Sequence, residues 1–282
     1  MRALYTSASG LSAQQTKLDV ISNNIANINT AGFKAKNAQF EELLRSEFSQ
    51  PDEFQFPDKG RRTDAGLRIG NGVYAVHLAT LFQQGNIQQT GNMLDLAIEG
   101  SGFFTVGLPG TGANGEALTA YTRAGKFQVD AAGTIVTDAG YPVLNPDGEP
   151  IRIPKELQGR RLSIAPNGVI TAEGEKGPVE VGAMNIVLPR NPESTLREVG
   201  DNLYVAADKA VYDPQKDSLN NLKDPEDRKR IGAIRQGALE MSNVELPQEM
   251  TELIQVQRAY QLNARSIQMT DTMMGLANNL RS

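Results

Sequence analysis

The sequence contains no cysteine, no tryptophan and a single histidine, His77. The missing cysteines exclude disulfides, thiolate metal sites and cysteine nucleophiles together, and one histidine excludes a multi-histidine metal centre. His77 sits in the apolar run VYAVHLATL, where a lone histidine reads as a structural residue rather than a member of a Ser-His-Asp triad. Two-carboxylate glycoside chemistry stays open on composition, with 33 acidic residues available, but the lack of tryptophan leaves little to stack on a sugar. The charge has no strong sign either: 28 basic residues against 33 acidic ones give −5, without a Lys/Arg run that would wrap nucleic acid or an anionic bilayer. Arg228 to Arg230 follow Asp224, Glu226 and Asp227 and read as a mixed, solvated loop.

Other absences concern motifs. No G-x-x-x-x-G-K-[ST] exists, and Asp213 to Asp227 lack the residue order of a calcium loop. Gly110-Thr111-Gly112-Ala113-Asn114-Gly115 matches G-x-G-x-x-G, but Pro109 precedes it and no helical period follows to face a pyrophosphate. It therefore reads as a β-hairpin loop. No cofactor, metal or small-molecule substrate is expected. Nothing approaches 18 uninterrupted apolar residues, and MRALYTSASGLSAQQ has no continuous apolar h-region. The expectation is a chain that neither spans a membrane nor carries a cleaved secretory signal.

The two ends look alike. Leu4, Ala8, Leu11, Gln15, Leu18, Ser22 and Ile25 step by four and three, with Ile21 and Ile28 alongside. Met250, Leu253, Gln257, Tyr260, Ala264, Ile267, Asp271 and Met274 repeat the step near the far end. Both segments read as long amphipathic helices. The second has Asn243 as a candidate cap and Pro247 in its first turn; the first has Asn29-Thr30-Ala31-Gly32 as its exit, with Gly32 suited to a left-handed cap. Each stripe lacks a partner nearby in sequence, so the helices are expected to pair with each other or with other subunits.

Between them the pattern changes. Residues 46–72 are polar and rich in Pro and Gly, an extended connector. From Val73 to Val211, short runs such as GFFTV, YTRAGKFQV, LSIAPNGVIT and NLYVA alternate with turn signals, among them Asp147-Gly148 and Asn167-Gly168. No helical periods separate these runs, so the sheet is antiparallel. The expected class is α+β. Residues 1–45 and 240–282 form a coiled-coil-like α domain, 73–211 an inserted antiparallel β-rich domain, and 212–239 a return linker.

Several stretches resemble the characteristic segments of bacterial flagellar rod and hook proteins. They are the leader ALYTSASGLSAQQTKLDVISNNIANINTAGFKAKNAQFEELL, the middle runs LFQQGNIQQTGNMLDLAIEGSGFFTV and YTRAGKFQVDAAGTIVTDAGYPV, and GALEMSNVELPQEMTELIQVQRAYQLNARSIQMTDTMM near the end. Within that family the hook protein has a much larger middle, and the shortest rod proteins lack the β domain. The resemblance implies a non-catalytic structural subunit of the flagellar basal body. It would leave the cytoplasm through the flagellar type III export apparatus without a cleaved signal and stack helically with itself and with neighbouring rod and hook proteins. A β-domain hydrolase held by coiled-coil ends is the competing expectation, and it requires an acidic cleft in the β domain.

The assembly contacts expected from these readings are Leu4, Leu11, Leu18, Ile21, Ile25 and Ile28 on the first helix, and Leu253, Tyr260, Ile267 and Met274 on the second. Gln15, Ser22, Gln257 and Asp271 either break the seam to fix its register or lie just off it. ISNNIANINTAGFK adds a second question, because four asparagines crowd a helix end. At 100° per residue Asn23 and Asn27 fall opposite the isoleucines, and they are expected to face a neighbouring subunit, where amides donate and accept without uncompensated charge. Asn29 and Gly32 mark the exit.

Overall fold

The computed structural model describes residues 2–42, 46–48, 67–69, 72–111, 117–174, 177–189, 191–206 and 232–279. Most of the expected connector, residues 212–231 of the expected return linker and residues 112–116 of the glycine-rich loop lie outside the described residues. Contacts divide the chain into two compact units. One comprises Met1–Ile25, Lys36–Ala79 and Leu246–Ser282, and the other Ala26–Ala35 and Thr80–Glu245. The class is α+β, with helices near both ends and a β-rich middle.

The first unit holds the two long helices, Arg2–Ala26 and Leu246–Asn279. Their contacts pair early residues of one with late residues of the other, so they run antiparallel. Ser7 Oγ lies 3.4 Å from Ser266 Oγ, the Lys17 ammonium 3.3 Å from the Glu252 carboxylate, and Asn24 Nδ2 3.0 Å from Glu249 Oε1. The face that the C-terminal helix turns inward carries Glu249, Glu252, Val256, Ala259, Asn263, Ser266 and Thr270 together with Leu253, Tyr260, Ala264 and Ile267 of the apolar series expected from sequence. The unit also contains strand β1 (Lys36–Glu42), the antiparallel pair β2 (Ser46–Phe48) and β3 (Leu67–Ile69), and β4 (Val73–Thr80), which pairs with β1.

The second unit is the β body. Outgoing strands β5 (Ile87–Gln89) and β6 (Leu96–Glu99) lead into the hairpin of β7 (Phe103–Thr111) and β8 (Ala117–Thr122). The pair β9 (Phe127–Val129) and β10 (Ile135–Thr137) follows, then the meander β11 (Leu162–Ile164), β12 (Val169–Gly174) and β13 (Gly177–Ala183). Strands β14 (Ile186–Val187), β15 (Leu196–Gly200) and β16 (Leu203–Ala206) complete an antiparallel sheet ordered β14-β7-β8-β16-β15. Both anticipated turns form: Gly148 and Gly168 take positive φ, and Asn167-Gly168 joins β11 to β12.

Alternation along these strands sends one face inward, and Leu96, Ile98, Phe104, Val106, Ile135, Val143, Ile170, Ile186 and Ile234 make one core. A second cluster is aromatic: Phe82, Phe103 and Tyr204 meet edge to face at 5.2 to 6.2 Å. The stretch expected to be a linker up to residue 239 contains two strands. Here β17 (Ala233–Gln236) pairs with β6 and β18 (Ala238–Glu240) with β5, so the returning chain is hydrogen-bonded alongside the outgoing one.

Candidate assembly surfaces and the junction that anchors them

On the N-terminal helix, Leu4, Leu11, Leu18 and Ile25 are half-buried and Ile21 is only 2% exposed. Ala8, Gln15 and Ser22 are exposed, as are Gln257 and Asp271 on the other helix, so all four polar members of the expected seam lie off the contact between the helices. Leu253, Tyr260 and Ile267 are half-buried, whereas Met274 is exposed.

The opposite half of the C-terminal helix is open, and on it large apolar residues alternate with Thr251, Gln255, Arg258, Gln261, Arg265 and Gln268. Leu246, Met250, Ile254, Leu262, Met269, Met273 and Leu276 are all exposed, Leu262 at 64% and Met273 at 69%. At 100° per residue they fall on the half turn that the inward set leaves free. A helix that leaves this many large apolar residues in the open has surface to bury against something beyond the single chain.

The asparagines divide differently from the sequence reading. The helix ends at Ala26, so Asn27 leaves the helical face, and its Oδ1 accepts the Thr30 hydroxyl at 3.2 Å. Asn23 is exposed. Asn24 is 3% exposed and uses its whole carboxamide: Oδ1 accepts the Lys36 N–H at 3.0 Å, while Nδ2 donates to the Lys36 carbonyl at 2.9 Å and to Glu249. It thus pins the N-terminal helix, the start of β1 and the C-terminal helix in one register. The signal was its place on the seam side of the helix, beside Ile21 and Ile25.

Burial, with Glu252 adding to it, raises the Glu249 carboxyl above its ordinary value, against the hydrogen bond from Asn24 and the charge of Lys17. A raised folded value means that the stability Glu249 contributes is fully present below the unfolded carboxylate range, about 4.3, and is lost as pH rises through the Glu249 value, because ionisation leaves a part-buried charge. Glu249→Gln keeps the acceptor for Asn24. Its helix-pair melting, followed by helical circular dichroism, is therefore expected to gain on wild type as pH is raised from 4 to 7; an unchanging difference refutes the assignment.

After the N-terminal helix the chain enters the β body through residues 26–35. Gly32 has φ +71°, as anticipated, but lies six residues past the helix and donates its N–H to the Glu240 carbonyl at 2.8 Å, so it is not a helix cap. Asn243 is not an N-cap either. Its Oδ1 accepts the Ala35 N–H at 2.7 Å, and its Nδ2 donates to the carbonyls of Leu81 and Gln83. Ile28 leaves the helical seam and packs with Phe33, Ala35, Leu81 and Val244. Asn29, Thr30 and Ala31 line an open groove of about 590 Å³ with Ala124, Lys126, Tyr141 and Asp201, and Asn202 Nδ2 donates to the Ala31 carbonyl at 3.3 Å.

At the centre of this junction Glu240 is fully buried against Lys34 at 2.6 Å and Arg123 at 3.1 Å. The sequence reading missed all three. The available signal was a single charge placed in each of three apolar or small-residue settings, AGFKA, TRAG and ALEM. His77 lies exposed on β4, apart from this cluster in sequence and in unit.

Comparison with known proteins bears on both helices and the body. Residues 4–34 match the family described as flagella basal body rod protein, 97–172 the flagellar hook protein FlgE/F/G D1 domain, and 235–280 the flagellar basal body rod FlgEFG protein C-terminal. FlgG, a flagellar basal-body rod protein of Borreliella burgdorferi, is 35% identical, with 100% of this chain and 99% of that protein aligned. The chain belongs to the flagellar rod and hook protein family. FlgG of Caulobacter vibrioides is 37% identical over the full length of both chains, and the flagellar hook-basal body complex protein FlhP of Bacillus subtilis 35% identical over the full length of both. In this rod and hook protein, the family matches fall on the two helical ends and on the part of the β body from β6 to β12.

Proposed function

We propose that the chain is a structural subunit that polymerises into the distal rod of the bacterial flagellar basal body, the shaft that carries torque from motor to hook. The carrying observation is the set of exposed large apolar side chains along the C-terminal helix, from Leu246 to Leu276, which no residue of the single chain covers among those described. Burying one large apolar side chain contributes roughly 1.5–3 kcal/mol, so a row of them repeated along a tube supplies a large driving force. In that assembly the two helices form a coiled-coil-like element. Neighbouring rod and hook proteins adjoin the polymer, and the subunit leaves the cytoplasm through the flagellar export apparatus. Asn23 and the outward helix face meet the adjoining subunit.

The equal likeness to FlhP favours one second reading, a hook-basal-body paralogue at another level of the same shaft. A deletion strain imaged by electron microscopy separates the two. A rod that stops short of the hook is expected, and a finished, motile filament overturns the distal-rod reading.

A further inference from the structure

Glu240 is a buried hub for three chain segments. Its Oε1 accepts Lys34 Nζ at 2.6 Å and the Gly85 N–H at 3.0 Å, and its Oε2 accepts Arg123 Nη1 at 3.1 Å. Lys34 Nζ also donates to the Gln83 carbonyl at 2.7 Å. All three charged side chains are almost completely withdrawn from solvent. The cluster therefore holds two cations against one anion, and its members are not equivalent. Without Lys34, Glu240 and Arg123 remain a balanced pair, with Gly85 still donating and with Arg123 held 4.8 Å above the Phe103 ring. Without Glu240, two buried cations face each other with no anion, the arrangement in which breaking a buried pair is most destabilising.

The three residues also differ in where they enter. Lys34 follows the N-terminal helix, Arg123 follows β8 within the body, and Glu240 ends β18 just before the C-terminal helix. We propose that the triad is a seating latch: Lys34 is its detachable member, and its insertion fastens residues 26–35 to the β body as a condition for polymerisation. This rests on the reading of the chain as a rod subunit. Backbone contacts guide the segment to its place, with Gly32 on the Glu240 carbonyl, Ala35 on Asn243 and Leu81 on the Ala35 carbonyl. Phe33 fills the apolar cluster beside Val244. Lys34 then adds the only charged side chain of residues 26–35. Burial draws its ammonium below the ordinary lysine value, with Glu240 opposing.

The test compares full-length wild type, Lys34→Met and Glu240→Gln. Lys34→Met is expected to keep the β-body melting transition while amide exchange across residues 30–35 accelerates at least about tenfold and polymer is lost. Glu240→Gln is expected to lower the β-body transition itself. The latch is refuted if Lys34→Met leaves residues 30–35 as protected as in wild type, polymerises at wild-type concentration, or collapses the body as far as Glu240→Gln does. Should wild type itself form no polymer under the same conditions, the rod reading fails, while the exchange comparison still decides whether Lys34 seats the segment.

Discussion

Leu262→Glu combined with Met269→Glu is expected to abolish polymerisation while leaving the single chain as stable as wild type. The two side chains are 64% and 61% exposed, so the isolated chain gains little from them. In a polymer that covers the outward face, each would otherwise bury most of its surface, worth roughly 1–2 kcal/mol of the 1.5–3 kcal/mol available on full burial. Two carboxylates placed there without partners add several kcal/mol of desolvation. At about 1.4 kcal/mol per tenfold, the critical concentration rises at least a hundredfold. Sedimentation against concentration, paired with a melting curve of dilute protein, checks both halves. Polymer forming at wild-type concentration would show that the outward face is not the contact.

The second large effect is expected at Gly32. A Cβ there would lie 2.3 Å from the Ala124 nitrogen and 2.6 Å from the Arg123 carbonyl carbon, backbone atoms held by the end of β8, and φ is +71°. Left-handed backbone costs a non-glycine residue about 1–2 kcal/mol, and forcing a methyl group into a packed site typically costs about 1–3 kcal/mol more. Gly32→Ala should therefore remove roughly 2–5 kcal/mol from the β body, a large part of a typical stability of about 5–15 kcal/mol. Gly91→Ala supplies the comparison, because φ is +76° but nothing lies within 4 Å of the added carbon. Only the backbone part is expected there. Equal losses at the two positions, measured by urea titration, would remove the steric argument.

The elements legible in sequence are those that depend on local pattern. Two long helices, an antiparallel body and the turns at Gly148 and Gly168 follow from spacing and from residues that tolerate positive φ. The facing of the helices was less legible. The heptad step gives a seam through Met250, Leu253, Gln257 and Tyr260; Leu253 and Tyr260 are half-buried, whereas Met250 and Gln257 are exposed and Val256 takes the most buried place. A hydrophobic pattern marks burial somewhere, and a helix that is covered on more than one side spreads its apolar residues beyond the stripe that packs within the chain.

The junction was illegible for a different reason. Lys34, Arg123 and Glu240 are separated by 89 and 117 residues, and no local period marks a charge that is paired only after the chain has returned. Asn243 illustrates the same limit. Local rules make it a helix cap, but long-range bonds to Ala35, Leu81 and Gln83 take its side chain. Gly32 has the left-handed conformation that its sequence setting suggests, yet that conformation serves a close backbone approach rather than a helix end.

The pairing of β5 with β18 and of β6 with β17 has a consequence for how such a molecule can change over generations. Outgoing and returning chains are zipped side by side, so the described residues between 100 and 232 are joined to the ends through two adjacent strands. Lengthening that excursion alters closure entropy only logarithmically, about 0.6 kcal/mol per doubling, while the neck and its hydrogen bonds stay the same. A polymer scaffold built this way is modular at the gene level. Its middle can be enlarged, trimmed or replaced to suit a different radius or a different surrounding structure, and the ends need not be reinvented.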